Sequence, residues 1–281
     1  MSLQTTALRL TGRDVLPLLH RTTSNALADL TPGMARATLF CDFRGRLLHR
    51  AVVAVAPDAA VWLLRDDAPG AELAAAVDRM VFRDDVRIAD LSAEHPVRHV
   101  ATASAAHAEF RALDSGLHVP VTAGTGDGTV YTTEPREPLD GDEAEALDDA
   151  ESIRALRPRH GHEIAEAFNP YEVGLGGEVH LAKGCFTGQE ALQRLITYDS
   201  VRRRPVHVRL RSRRRAIAAG EPLDVFAAGE RAGLLTRLAG LDGFALLRRD
   251  ALDNAAPFAL EDGSVLEIVS APEPARPLGR P

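Results

Sequence analysis

Cysteine is nearly missing from this sequence: Cys41 and Cys185 are the only two in 281 residues, and no CxxC pair occurs. Two thiols make no disulfide framework and fall short of the four that usually ligate an iron–sulfur cluster. A reducing, cytoplasmic setting without a resident cluster is therefore expected. Aromatic side chains are also scarce, with one Trp and three Tyr, which leaves little material for a base-stacking platform. No apolar run approaches the roughly 18 residues of a membrane span, and the first ten residues lack the basic start and apolar stretch of a signal peptide. Neither membrane association nor export is expected. GxGxxG and P-loop motifs are missing. There is no excess of positive charge, since 33 basic and 40 acidic residues leave a net −7, and this argues against direct nucleic-acid binding by the molecule as a whole. No metal site is expected either: His160-x-His162 around Gly161, with His180 and Cys185 far downstream, lacks the paired spacing of zinc motifs and reads as turn histidines.

What is present is a chain able to bury a core, 45% hydrophobic and 26% charged, and long enough for about two domains. Leu8 and Leu10 alternate around Arg9 and predict a strand, and a turn at 11–14 leads into a helix starting at Val15, with Pro17 in its first turn. Residues 35–41 and 46–55 predict a hairpin around Asp42-Phe43-Arg44-Gly45, with a third strand at 60–64 beside it. Spacing of Leu73, Val77, Met80 and Val81 predicts a helix over 69–81, and 85–91 returns as a strand. The middle predicts strands at 97–102 and 128–133 and helices at 106–113 and 142–156. From Arg202 onward helices nearly vanish: strands are predicted around Val206, Val208 and Leu210 and at 223–226, 232–235, 244–247 and 265–269. The fold class is α+β, with two subdomains over 1–200, a small β-barrel over 201–270 and a proline-rich disordered tail over 271–281.

One segment, 173–192, stands apart, with five glycines in twenty residues. Thr187-x-x-Glu190 has the form of a capping box, which starts a helix whose buried face carries Leu192, Leu195 and Ile196. Cys185 then lies two residues before a helix start, where the helix dipole and Lys183 would favour its thiolate. An accessible, modestly activated thiol is one reading, and a small buried hydrophobe is the other. His180 is a candidate base for a Cys/His pair if the fold brings the two side chains together.

The string Lys183-Gly184-Cys185-Phe186-Thr187-Gly188-Gln189-Glu190 resembles the signature of the folate-binding YgfZ-type proteins, relatives of the glycine cleavage T-protein (aminomethyltransferase) that are implicated in maintaining iron–sulfur enzymes. Shorter similarities extend it: Thr11-Gly12-Arg13-Asp14, Ser24-Asn25, Thr31-Pro32-Gly33, Asp42-Phe43-Arg44-Gly45-Arg46, Asn169-Pro170-Tyr171-Glu172-Val173-Gly174-Leu175 and, near the end, Ala232-Gly233-Leu234-Leu235-Thr236. The resemblance implies a T-protein-like fold with a C-terminal barrel and tetrahydrofolate as cofactor. It makes Cys185 the working residue and draws folate contacts from Lys183, Gly184, Phe186, Gly188, Gln189, Glu190, Asn25 and Glu172. Iron–sulfur enzymes or their assembly factors are the implied partners, with tRNA modification among the dependent processes. Three departures stand out. His49-Arg50 occupies the place of the T-protein acidic pair, Ala26 replaces the Asp after Ser-Asn, and Arg159 stands where relatives often carry an acid.

The sequence thus points first to a folate-binding accessory protein for iron–sulfur enzymes acting through Cys185. The alternative is a tetrahydrofolate-dependent aminomethyl or one-carbon transferase, which His49-Arg50 opposes. Eight arginines in the fourteen positions 202–215 read either as the wet face of a strand or as a polyanion contact.

Overall fold

The computed structural model describes residues 5–101, 111–113, 116–121, 129–132, 149–212, 221–254 and 256–279. They fall into two compact units: unit 1 comprises 1–146, 177–189 and 277–281, and unit 2 comprises 147–176 and 190–276.

Unit 1 is built on an antiparallel five-stranded sheet of β1 (Thr6–Thr11), β2 (Ala35–Cys41), β3 (Leu47–Val55), β4 (Val61–Arg65) and β5 (Arg87–Asp90), in the order β2-β3-β4-β1-β5. Two helices, α1 (Val15–Thr22) and α2 (Gly70–Asp78), belong to the same unit. Pro17 is accommodated in α1 because N–H groups in the first turn have no intrahelical acceptor. The period of two decides which face each strand residue serves. Leu8, Leu10, Val53, Val61 and Leu63 join Val15, Leu18, Leu19, Leu73 and Val77 in one buried cluster. Ala7, Val52, Ala54, Trp62 and Leu64 form another with Val97, Leu117 and Val119. A second antiparallel sheet holds β6 (Arg98–Ala101), β7 (Arg111–Leu113), β8 (Gly116–Val121) and β9 (Thr129–Thr132), in the order β6-β9-β8-β7. The helix expected over 106–113 is corrected where it is described: Arg111–Leu113 pairs as a strand with β8, in register Arg111↔His118. A strand partner supplies backbone hydrogen bonds that override weak helical spacing. Residues 106–110 of that expectation, and 142–148 of the next, lie outside the described residues.

Unit 2 contains α3 (Asp149–Arg154), most of α4 (Gln189–Thr197) and a closed antiparallel barrel. The barrel strands are β10 (Arg203–Ser212), β11 (Leu223–Ala227), β12 (Glu230–Ala239), β13 (Asp242–Arg248), β14 (Phe258–Leu260) and β15 (Val265–Ser270), ordered β10-β13-β12-β11-β14-β15 with β15 returning to β10. Closure leaves no unpaired edge. Val206, Val208, Leu210, Val225, Leu235, Ala245, Leu247 and Leu266 fill its core. The three-residue strand β14 and the single-turn helix α5 (Arg249–Leu252) are too short for periodicity to reveal, and neither was expected. The units do not part at residue 200, because α3 packs against β12 and β13 of the barrel. The segment after β15 also differs from the expected disordered tail. Leu278 forms a parallel bridge with His180, its N–H donating to Val179 O at 2.8 Å and its carbonyl accepting from Leu181 N at 2.9 Å. Gly279 fits there because a Cβ would lie 2.5 Å from His180 Cε1. Two backbone hydrogen bonds thus order a segment whose composition alone suggests disorder. No described helix is long and apolar enough to cross a membrane.

Candidate functional site

The segment 177–189 of unit 1 is held by hydrogen bonds from elements distant in sequence. Ser24 Oγ donates to Glu178 O at 2.7 Å, and His180 N donates to Ser24 O at 2.9 Å. Beyond that anchor, His20 at the end of α1 and Lys183 exchange hydrogen bonds. His20 Nε2 donates to Lys183 O at 3.0 Å, while Lys183 Nζ donates to His20 O. His20 Nδ1 accepts from Leu27 N at 3.0 Å and Ala28 N at 3.2 Å, which requires the neutral tautomer protonated at Nε2. The Lys183 ammonium also sits 5.0 Å over the Phe186 ring, a cation–π contact that buries the ring. Gln189 closes the far end, with Nε2 donating to Leu181 O at 2.8 Å.

Cys185 is exposed within this frame, whereas Cys41 at the end of β2 is buried. The choice between an accessible thiol and a buried hydrophobe thus falls to the former for Cys185. Lys183, expected to support its thiolate, directs its ammonium to His20 O and the Phe186 ring. The expected capping box also changes. The helix α4 begins at Gln189, four residues after Cys185, and the Glu190 carboxylate accepts from Arg194 at 2.5 Å instead of closing on the chain at Thr187. The intervening turn requires Gly188: its φ is +85°, and a Cβ would fall 2.4 Å from Asp42 O at the β2–β3 turn. That turn is itself shaped by Asp42, whose Oδ1 accepts from Arg44 N and Arg46 N at 2.8 Å each. Gly184, with φ +108°, faces open space.

Glu178 was missed by the sequence reading, and it gives one of the departures its structural meaning. Arg50 of β3 grips it bidentately, Nε donating to Oε1 at 3.0 Å and Oε2 at 2.9 Å and Nη2 to Oε1 at 2.6 Å. Thus Arg50, one of the departures named above, locks a carboxylate 128 residues away. No sequence signal joins residues at that separation; His20 was missed for the same reason. Asn25 is buried and its amide serves the backbone, Nδ2 donating to Ala37 O at 2.8 Å and Oδ1 accepting from Ala26 N at 2.9 Å.

The remaining candidate, Glu172, belongs to unit 2. Its Oε2 accepts from Asn169 Nδ2 at 2.9 Å and Asn169 N at 3.3 Å, and Arg203 Nε lies 4.0 Å from Oε1. Arg159, the third departure, joins a buried network in the same unit. Its N–H donates to Glu163 Oε2 at 3.1 Å and its guanidinium pairs with Asp149 at 2.5 Å. Arg237 of β12 pairs with Glu163 at 3.0 Å and donates to Arg157 O at 2.6 Å, while the Thr236 hydroxyl donates to Glu163. These contacts fasten residues 157–163 to the barrel wall. His160 and His162 lie in unit 2 and His180 and Cys185 in unit 1. Among the described residues no group of three or more His, Cys, Asp or Glu side chains is placed to hold a metal ion.

Lys183 is the single lysine of the chain. Burial lowers its ammonium from 10.5 to about 8. The unfolded chain therefore binds the extra proton between these two values, and this group makes stability rise as pH increases through that window. The urea midpoint of the protein, minus that of Lys183→Met, is expected to climb between pH 8 and 10.5. A flat difference would mean that the amine is fully solvated.

The fold is one shared with a solved aminomethyltransferase. The solved structure of the glycine cleavage system aminomethyltransferase T from Bartonella henselae superposes with a TM-score of 0.74, covering 99% of this chain and 86% of that one at 14% identity. Among curated sequences, the chain is 44% identical over 48 residues to the Arabidopsis thaliana protein named "Putative transferase At1g60990, chloroplastic". That stretch is 17% of this chain and spans 11% of the relative's length. No family model matches the chain.

Proposed function

We propose that this chain is a folate-binding accessory protein of the YgfZ type, supporting the assembly or repair of iron–sulfur enzymes through the thiol of Cys185. The observation that carries the reading is the exposed Cys185 on a segment braced by the His20–Lys183 exchange, Gln189 and the Arg50–Glu178 pair. A fixed, accessible thiol suits the transfer or protection of sulfur-linked groups on a partner protein. The aminomethyltransferase fold supports tetrahydrofolate as the cofactor. Glu172 fits it chemically: it is a buried carboxylate oriented by Asn169, and pterin N–H groups call for such an acceptor. Tetrahydrofolate, when bound, serves as a one-carbon carrier. Aminomethyl transfer asks for an ionised carboxylate free to handle an amine. Glu178, the carboxylate joined to the hairpin strand, is neutralised by Arg50 instead, which favours the accessory role.

Two measurements test the reading separately. Tetrahydrofolate at about 100 times its dissociation constant is expected to stabilise the protein by about 2.7 kcal/mol, and no thermal shift at saturating folate would remove the cofactor. Cys185→Ser is expected to change stability by less than about 0.5 kcal/mol, as at other exposed sites, while iron–sulfur enzyme activity falls in cells that depend on this protein. Full enzyme activity with the serine variant would remove the thiol.

A further inference from the structure

The barrel carries a charge arrangement that the folate and thiol readings leave unused. The β10–β13 register sets Arg203 opposite Arg248, and Arg249 N donates to Arg202 O at 2.9 Å. These four arginines converge on one cleft of about 530 Å³, completed by Asp199, Val201 and Asp250. Like charges directly opposite on paired strands oppose folding, so an arrangement of this kind is relieved by an anion between them. The volume is within the roughly 300 to 1,000 Å³ usual for ligand pockets.

The surroundings limit the size of that anion. Farther along β10, Arg204 is paired with Glu273 at 2.5 Å, Arg209 with Asp242 at 3.3 Å and Arg211 with Glu267. Among the described residues of this strand, the most loosely compensated positive charge thus lies at the cleft, where Arg203 Nε is 4.0 Å from Glu172 Oε1. A polymer needs a continuous basic track, and here the track is neutralised beyond one end. Inside the cleft, Asp199 holds Arg249 at 2.9 Å and Asp250 holds Arg248, and no ion pair engages Arg202 among the described residues. Both pairs are open to solvent, with side-chain exposures from 46% to 82%. Exposed pairs contribute only about 0 to 1 kcal/mol, so a doubly charged phosphate group that accepts bidentate guanidinium hydrogen bonds displaces them readily.

We propose that this cleft binds a compact diphosphate anion, either free or as the phosphate end of a nucleoside diphosphate. Asp199 and Asp250 act as stand-in anions in the unliganded protein, and Arg202, Arg248 and Arg249 take the incoming oxygens. Asp199 lies at the C-terminal end of α4 with φ +44°, a backbone conformation that Asn adopts as well as Asp, so Asp199→Asn removes the competing charge without disturbing the turn.

The test is calorimetric titration of the full chain with pyrophosphate, adenosine diphosphate and a twelve-nucleotide single-stranded RNA. Saturable one-to-one binding of pyrophosphate is expected. Asp199→Asn should tighten it about threefold by removing one exposed competitor, a gain that misfolding cannot imitate. Arg202→Gln with Arg249→Gln should weaken it by about tenfold or more, since each guanidinium supplies charge-assisted hydrogen bonds. Arg211→Gln should leave it unchanged. Adenosine diphosphate binding at least as tightly as pyrophosphate assigns the nucleotide as source, and weaker binding assigns the free anion. No saturation by either diphosphate, an unchanged affinity in Asp199→Asn, or RNA binding more tightly than both would overturn the proposal.

Discussion

Replacing Arg50 by Ala is expected to destabilise the protein by about 3 to 5 kcal/mol, among the largest losses open to a single substitution. The side chains of Arg50 and Glu178 are 13% and 7% exposed, and their three hydrogen bonds run from 2.6 to 3.0 Å. Removing the guanidinium leaves the Glu178 carboxylate in a site that water scarcely reaches, so its desolvation is no longer offset. Glu178→Ala strands the cation instead and costs less, because a long arginine side chain can swing toward solvent. Arg50→Met with Glu178→Leu removes both charges while keeping volume, and it is expected to recover most of the loss. Urea unfolding of the four proteins measures each of these costs. An Arg50→Ala cost below about 1 kcal/mol, the value of an exposed pair, would show that the bridge is solvated and does not brace the Cys185 segment.

Alkylation is expected to distinguish the two cysteines by about three orders of magnitude. Burial, aided by the neighbouring Asp42 charge, pushes the Cys41 thiol up from 9.0 to about 12. That rise removes a factor of about 10³ in Cys41 thiolate at neutral pH, before steric exclusion is counted. Cys185 is exposed. Iodoacetamide at neutral pH, followed by peptide mass, should therefore modify Cys185 in the folded protein and reach Cys41 only on addition of denaturant. Similar rates in the native protein would mean that β2 opens locally on the labelling timescale, or that Cys185 is covered. Slow labelling of Cys185 itself would remove the accessible thiol from the proposed function.

Much of the scaffold was legible because it depends on local repeats. Alternation at Leu8 and Leu10 and the turn residues around Asp42 located β1 and the β2–β3 hairpin. Alternation at Val206, Val208 and Leu210 located the first barrel strand. Signals little longer than one period failed: Phe258–Leu260 and Arg249–Leu252 offer three and four residues. At 111–113 a strand partner outweighed helical spacing. The exposure of Cys185 was foreshadowed by the glycines around it, since Gly184 and Gly188 break regular structure wherever they fall.

The sequence by itself determined the strand periodicity of both units, the glycine turns and the presence of a single lysine beside a cysteine, because each is a property of neighbours along the chain. Only the tertiary structure decided what those groups touch. It turned Lys183 toward His20 O, set Arg50 against Glu178 across 128 positions and placed Arg203 opposite Arg248. It also gave Leu278 a backbone partner at Val179. Each of these results from closing long loops and registering strands. The free energy comes from burying apolar faces such as Leu63 and Val208, so the polar partners are selected by where that burial leaves them.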